Sequence, residues 1–412
     1  MRELALAWRV LRAEGLLAVR DRTLDRLDEA RRRRSFFPAP AGWRPARPIL
    51  LLHLSAMPPA PRLGGVPSRL LRRIETEGQP VALLYPEARG WRLEIAAERE
   101  RRSLRFPGSP PHPIALEDAA FERAVRSAAE ILGVRALHVE GLHGLPPASL
   151  LRLGRGGLEL SLSLHDFAAF CPRPHLLEHP QLRFCRYSRD LARCGRCLRQ
   201  DWPVEDAFQQ QRRGVQAELL AAAGALVFPS DFLRRAYAEL FAGLPAERQR
   251  VEAPGPPAIG DLPPRRRPGP RRHVALVGGV QAHKGALIFE EVVRRLERER
   301  LRWTVYGGGD AELLARLRRL PRVRVRGYYR HGALPGLLRR HGVDAALLLS
   351  IVPESYSLVL DECAAAGVPV VAFDLGAVSE RLSRLGASGL VSLEAGAEGV
   401  ARALREKIAP EP

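Results

Sequence analysis

Apolar residues in this chain gather into short, nearly unbroken runs separated by longer polar or amphipathic stretches. PILLLHLS at 48–55, VALLY at 81–85, ALHVE at 136–140, ALVFP at 225–229, HVALVG at 273–278, WTVY at 303–306, AALLL at 345–349 and VPVVAF at 368–373 are of this kind, and only LELSLSL at 158–164 and VRVRGY at 323–328 alternate. Runs this short predict strands, and their continuity predicts burial on both faces, as in a parallel sheet covered by helices. Apolar positions recurring at helical spacing in 117–132, 334–341, 357–366 and 397–408 predict the covering helices. Strands alternating with helices make this an α/β chain. At 412 residues with 46% hydrophobic content it can bury two cores. The stretch PGPPAIGDLPPRRRPGPRR keeps no periodicity and reads as a link. The expected organisation is therefore an N-terminal arm and Pro-rich link at 1–47, a first domain at 48–255, a linker at 256–272, a second domain at 273–396, and a closing helix with its tail at 397–412.

One stretch carries most of the chemistry. Residues 344–373 read as a strand at 345–349, a polar loop with Glu354, a helix over about 357–366, Gly367 as its C-cap and a strand at 368–373. Ligands of such βαβ units sit beyond the strand C-termini, where the helix N-terminus points. The N–H groups near Tyr356, Ser357 and Leu358 are expected to lack intrahelical acceptors and to have the positive end of the helix dipole behind them, which suits a phosphate. Glu354 and Glu362 frame that spot. At helical rise their E-x7-E spacing separates the two carboxylates by roughly 12 Å. Two glutamates on a helix surface are the plain alternative.

Other candidates follow the strands. Gly64 and Gly65 lie between the first strand and a helix expected over about 67–75, where a glycine pair lets a ligand approach the backbone. His165 ends the strand at 158–164, on the side where such sheets bind ligands, although a lone histidine there can equally be structural. His138 and His143 lie on the preceding strand and loop. Lys284-Gly285 opens a helix after the strand at 273–278, and Lys284 is one of only two lysines in a chain where arginine fills nearly every other basic position. Gly307-Gly308-Gly309 lacks the full dinucleotide-binding spacing and follows the wrong strand of its unit.

The Glu354 loop, the E-x7-E pair, the strand GVPVVAF, Lys284-Gly285, the Gly64-Gly65 loop and His165 together resemble the retaining GT-B glycosyltransferases of family 4. The likeness covers about residues 48–408 and is strongest over 273–382. It implies two Rossmann-like doubly wound domains with an interdomain cleft, and a final helix that returns toward the first domain. It also implies transfer of a hexosyl group from a nucleotide sugar with retained anomeric configuration. In that reading Glu354 contacts the transferred sugar and Glu362 the ribose hydroxyls. Lys284, the N–H groups of Tyr356–Leu358 and the Gly64-Gly65 loop face the diphosphate, and His165 contacts the sugar near the reaction centre. A donor phosphate oxygen takes the acceptor proton, and no cofactor is needed for catalysis. The family often carries an arginine five residues before the lysine; here that position is Gly279.

Four of the five cysteines, Cys171, Cys185, Cys194 and Cys197, fall within 27 residues with the spacing C-x13-C-x8-C-x2-C. The segment is similar to one in a bacterial subset of the same transferases, HDF…CPR…C…CxxC. Thiols in this pattern suit a structural zinc; an iron–sulfur cluster and unligated thiols are the other readings, and nearby histidines could replace a cysteine ligand.

The formal charge of +19 changes the picture least. It is carried almost entirely by arginine interleaved with glutamate, as in RRLERERLR at 294–302, the pattern of solvated helix faces. No nucleic-acid-binding module is visible, so no nucleic-acid partner is expected. A nucleotide-sugar donor, a glycan or lipid-linked acceptor and an anionic membrane surface fit the charge better. The basic arm either lies on such a surface or packs on its own protein. A bacterial surface-polysaccharide or lipopolysaccharide role follows from that context. No run is long enough to span a membrane and no signal core is seen, which predicts a cytoplasmic protein, peripheral at most on the inner face of the plasma membrane. A non-catalytic GT-B subunit is the rival reading. A phosphorylase-like enzyme would need a Schiff-base lysine, and only Lys284 and Lys407 exist.

Overall fold

The computed structural model describes residues 8, 10–11, 15–45, 48–59, 70, 80–97, 100–255, 261–266, 269 and 271–409. The chain forms two compact units, one of residues 27–181 and 185–254, the other of residues 1–26, 182–184 and 255–412. Gly64, Gly65 and the helix expected over 67–75 lie outside the described residues.

The first unit is built on a nine-stranded sheet. Its strands are β1 (Phe37–Pro38), β2 (Leu51–Leu54), β3 (Val81–Glu87), β4 (Gly90–Ala97), β5 (Glu100–Phe106), β6 (Ala136–Glu140), β7 (Glu159–Ser163), β8 (Ala225–Phe228) and β9 (Gln249–Val251), in the order β1-β5-β4-β3-β2-β6-β7-β8-β9. From β3 through β2 to β9 all pairs are parallel, whereas β3-β4 and β4-β5 are antiparallel. Helix α1 (Leu16–Ser35) has its residues up to 26 in the second unit and the rest in the first, and the first unit continues with α2 (Ala119–Leu132), α3 (Pro147–Arg155), α4 (Leu191–Leu198), α5 (Phe208–Ala222) and α6 (Asp231–Leu240). Asp118 and Ser230 cap α2 and α6 by accepting from the N–H groups three residues on. The antiparallel strands β4 and β5 occupy what reads in the sequence as an uninformative polar stretch. The reason is internal pairing. Arg92 and Glu94 on β4 are 4% and 1% exposed. Glu94 accepts from the Tyr85 hydroxyl and from Arg92 Nε, each at 2.8 Å, and from Arg32 of α1. Charges placed in a strand interior are affordable only when satisfied this way.

The second unit has a six-stranded parallel sheet of β10 (His273–Val277), β11 (Arg302–Tyr306), β12 (Val323–Gly327), β13 (Ala345–Leu348), β14 (Val370–Phe373) and β15 (Leu390–Val391), ordered β12-β11-β10-β13-β14-β15. Helices α7 (Ala286–Arg295), α8 (Ala311–Arg318), α9 (Leu334–His341), α10 (Leu358–Ala366), α11 (Gly376–Arg384) and α12 (Gly396–Ile408) cover it. One core on this sheet centres on Phe289, Trp303 and Leu404, another on Tyr306, Leu338 and Leu360. Helix α12 packs on α7 and on β14 and β15 within its own unit. The chain builds outward from β10 through β11 to β12, then crosses to lay β13 on the other side of β10. That reversal is a topological switch point, the place beyond the strand ends where sheets of this kind bind ligands.

Candidate active site

The loops that leave β10 and β13 carry Lys284 and Glu354, and the structure brings these two side chains together. Lys284 Nζ donates to Glu354 Oε1 at 2.8 Å. Burial pushes the Glu354 carboxyl up, but the charge and hydrogen bond of Lys284 outweigh it and hold the group below the usual carboxylate range. Lys284 ends a 3₁₀ turn, Ala282–Lys284, and Gly285 follows at φ +77° as the N-cap of α7. Here glycine is obligatory, since a Cβ would stand 1.9 Å from the Leu349 carbonyl oxygen. The two loops are also stitched together directly: the Ile351 N–H donates to the His283 carbonyl at 2.9 Å, and the Ser350 hydroxyl donates to it at 3.2 Å.

Glu354 is fixed from a second side. Ala377, in the first turn of α11, donates its N–H to the Glu354 carbonyl at 2.9 Å, and the φ of +71° at Gly376 brings the backbone within reach. A Cβ on Gly376 would lie 2.7 Å from the Glu354 nitrogen.

Helix α10 begins at Leu358, with Ser357 as N-cap at φ +74°. Glu354 thus lies in the loop, and the roughly 12 Å separation obtained from helical rise does not apply, because only the stretch from Leu358 to Glu362 is helical. A left-handed serine at a helix start is backbone strain of the kind concentrated at binding sites. Among the described residues, Tyr356, Ser357 and Leu358 donate their N–H groups to no backbone carbonyl. Their loop is held by Arg381 of α11, which donates to the Tyr356 carbonyl at 3.1 Å, to the Ser357 carbonyl at 3.0 Å and to Asp361, and lies 4.1 Å from the centroid of the Tyr356 ring. Sequence spacing gives no hint of Arg381, whose partners sit some twenty residues earlier.

Glu362 is 1% exposed, so it is not a helix-surface glutamate. Its Oε1 accepts from the Gly332 N–H at 2.8 Å. Burial pushes the carboxyl up to about 7, against the N–H groups of Gly332 and Leu334, which pull it down. Burial raises the Tyr329 hydroxyl well above its ordinary value, and the charges of Glu362, Cys363 and Glu354 add to the shift. Gly279, where the resemblance leads one to look for an arginine, is exposed, and a Cβ there meets nothing within 4 Å.

In the first unit, His165 follows β7, and its Nε2 lies 3.8 Å from Oε2 of Glu140, a carboxylate 1% exposed at the end of β6. The same carboxylate has His53 Nδ1 at 3.3 Å and His138 Nε2 at 3.6 Å. His138 is fixed further by Ser161 and Ser163, each 2.8 Å from one ring nitrogen. His143 is exposed. Residues after His165 are pinned from α5, where Arg212 donates to the carbonyls of Ala168 and Ala169, and Gln209 to that of Phe170 at 2.8 Å. Neither is legible in the sequence, because both contacts are to backbone carbonyls some forty residues away.

Cys171, Cys185, Cys194 and Cys197 all line one cavity of about 30 Å³. Cys197 Sγ accepts from Arg173 Nη1 at 2.7 Å and from the His179 N–H at 3.3 Å. Burial pushes the Cys171 thiol up to about 11. Among the described residues no group of three or more His, Cys, Asp or Glu is spaced to hold a metal ion. Among the described residues, no helix is long and apolar enough to cross a membrane.

Residues 271–409 match the family described as glycosyl transferases group 1. No curated protein matches. Among solved structures, the chain is similar to sucrose-phosphate synthase from Thermosynechococcus elongatus, at 15% identity and a TM-score of 0.58 over 87% of this chain and 89% of that one. It is also similar to a UDP-forming α,α-trehalose-phosphate synthase from Burkholderia vietnamiensis, at 15% identity and 0.56 over 89% and 92%. Anabaena HepE in complex with UDP matches at 14% identity and 0.55 over 87% and 90%. The chain thus has the GT-B glycosyltransferase fold, and its residues 271–409 are similar to the glycosyl transferases group 1 family.

Proposed function

We propose that this protein transfers a hexosyl group from a nucleoside diphosphate sugar to a glycan or lipid-linked acceptor with retention of the anomeric configuration. The observation that carries the reading is the Lys284–Glu354 pair at the switch point of the second sheet, beside the N-terminus of α10. In this reaction the bond from the anomeric carbon to the donor phosphate oxygen breaks and its electron pair leaves with the diphosphate. The acceptor oxygen bonds to the same face of the sugar and gives its proton to a phosphate oxygen. Positive charge develops on the sugar and negative charge on the leaving group, so fixed donors aimed at the latter supply most of the acceleration. Lys284 and the N–H groups of Tyr356, Ser357 and Leu358 take that role. Glu354 orients the sugar and Glu362 binds the ribose hydroxyls. The charge of +19 favours an acceptor held near an anionic surface, as in surface-polysaccharide or lipopolysaccharide assembly.

Gly279 favours a second reading, a GT-B subunit that binds a nucleotide or glycan without turnover, because no side chain stands there to share the diphosphate charge. Incubation with nucleotide sugars, read by release of nucleoside diphosphate and by NMR of the sugar's anomeric proton, separates the two. Release with retained configuration is the expected result. Inverted product removes the retaining mechanism, and binding without release favours the second reading.

A further inference from the structure

Helix α1 turns an acid inward and its leucines outward. Ala18 and Asp21, one helical turn apart, are each 1% exposed, whereas Leu16 and Leu17 are 73% and 38% exposed. A carboxylate buried that deeply needs a paired cation. Its partner stands 309 positions further along the chain: Arg330 donates from Nε to Oδ2 and from Nη2 to Oδ1, both at 2.6 Å. Two parallel bonds of this kind fix the orientation of the guanidinium as well as its distance. Arg20 also approaches Oδ1, at 3.6 Å, but its side chain is 59% exposed and holds the acid only loosely.

Arg330 sits in the short loop between β12 and α9, and that loop also reaches the candidate nucleotide site. Two residues after Arg330, the Gly332 N–H donates to Glu362 Oε1 at 2.8 Å. Extended chain covers at most about 7 Å over two residues, so a shift at Arg330 is felt at Gly332. An ionised carboxylate has about four lone-pair sites, and those left by the loop's N–H groups remain for sugar hydroxyls.

We infer that Asp21 is a positioning residue of the nucleotide site: through its bidentate pair with Arg330 it holds the 328–333 loop, and the loop sets the carboxylate of Glu362 for the ribose hydroxyls of a nucleoside diphosphate. The inference rests on the nucleotide-sugar reading above and adds to it a residue from the basic arm, which sequence alone leaves between membrane contact and packing. It also explains why an acid lies at a buried position of a helix whose neighbouring charges are arginines.

Calorimetric titration of UDP, GDP, ADP and dTDP into the full chain and into Asp21→Asn, Arg330→Gln and the double variant tests it, together with hydrogen exchange over 328–334. Each single variant is expected to weaken the nucleotide that the wild type binds by about tenfold, the size of coupling carried by such a relay. The double variant is expected to be no weaker than the worse single, because the two residues act through one pair. Exchange at 328–334 rises while β13 and β14 keep wild-type protection, which general destabilisation would not produce. Wild-type affinity in Asp21→Asn, or losses that simply add in the double variant, overturns the inference. If the wild type binds none of the four nucleotides, the nucleotide-sugar reading fails instead. Exchange at 328–334 in Asp21→Asn then still decides whether Asp21 holds the loop.

Discussion

Lys284→Ala lowers kcat/KM for the donor by about 10²–10³-fold, the usual loss when one preorganised donor to a developing anion is removed. Two effects combine in that figure. The first is direct, since in the proposed reaction the ammonium at the switch point meets the negative charge of the leaving diphosphate, and Gly279 offers no side chain to replace it. The second runs through Glu354. Burial alone pushes that carboxyl up, and Lys284 is the main influence holding it down. Without the ammonium the folded-state pKa of Glu354 rises, so the charge that orients the sugar is lost from a higher pH on acidification than in the wild type. The variant's pH profile should therefore show its acid limb displaced upward. Steady-state kinetics across pH, beside a thermal melt showing the fold intact, checks both parts. A variant that turns over like the wild type removes Lys284 from the machinery.

Gly285→Ala is expected to destabilise the second unit by about 2–5 kcal/mol, a left-handed backbone cost of about 1–2 kcal/mol added to overpacking of about 1–3 kcal/mol. The new methyl would meet the Leu349 carbonyl oxygen at 1.9 Å and the Leu349 Cβ at 2.6 Å, both just past the end of β13. Backbone cannot rotate aside as a side chain can, so either the 281–285 turn or the end of β13 must move. Each carries one member of the Lys284–Glu354 pair. A fall in Tm of roughly 10 °C is expected for a unit of this size. Gly279→Ala is the internal control: a Cβ there meets nothing within 4 Å, and its change should stay within about 0.5 kcal/mol. Equal melting of the two variants would contradict the role assigned to the turn.

The parallel strands of both sheets were legible because burial on two faces leaves an unbroken apolar run, as in HVALV at β10 and VVAF at β14. Local chemistry was legible too: Ser230 caps α6, and Gly367 ends α10 at φ +67°. What escaped the sequence is pairing across distance. Arg92 and Glu94 made β4 part of an uninformative polar stretch because their partners, Tyr85 and Arg32, lie on other elements. Arg381 and Arg212 hold the two loops that matter most through backbone carbonyls, contacts that leave no pattern in side-chain spacing. Asp21 meets Arg330 only because the fold returns to α1 after some three hundred residues. In the candidate site, Lys284 and Glu354 stand out by position after strands and are in contact, whereas the left-handed Ser357 and the burial of Glu362 are set by tertiary packing that no local pattern reports.

The measurement that bears most directly on the central claim is calorimetric titration of the intact wild-type protein with UDP, GDP, ADP and dTDP. The account predicts micromolar binding of one of them with one site per chain, abolished in Glu362→Ala and strongly weakened in Lys284→Ala. Binding of none, or binding that both variants retain unchanged, would contradict a nucleotide-sugar site at this switch point.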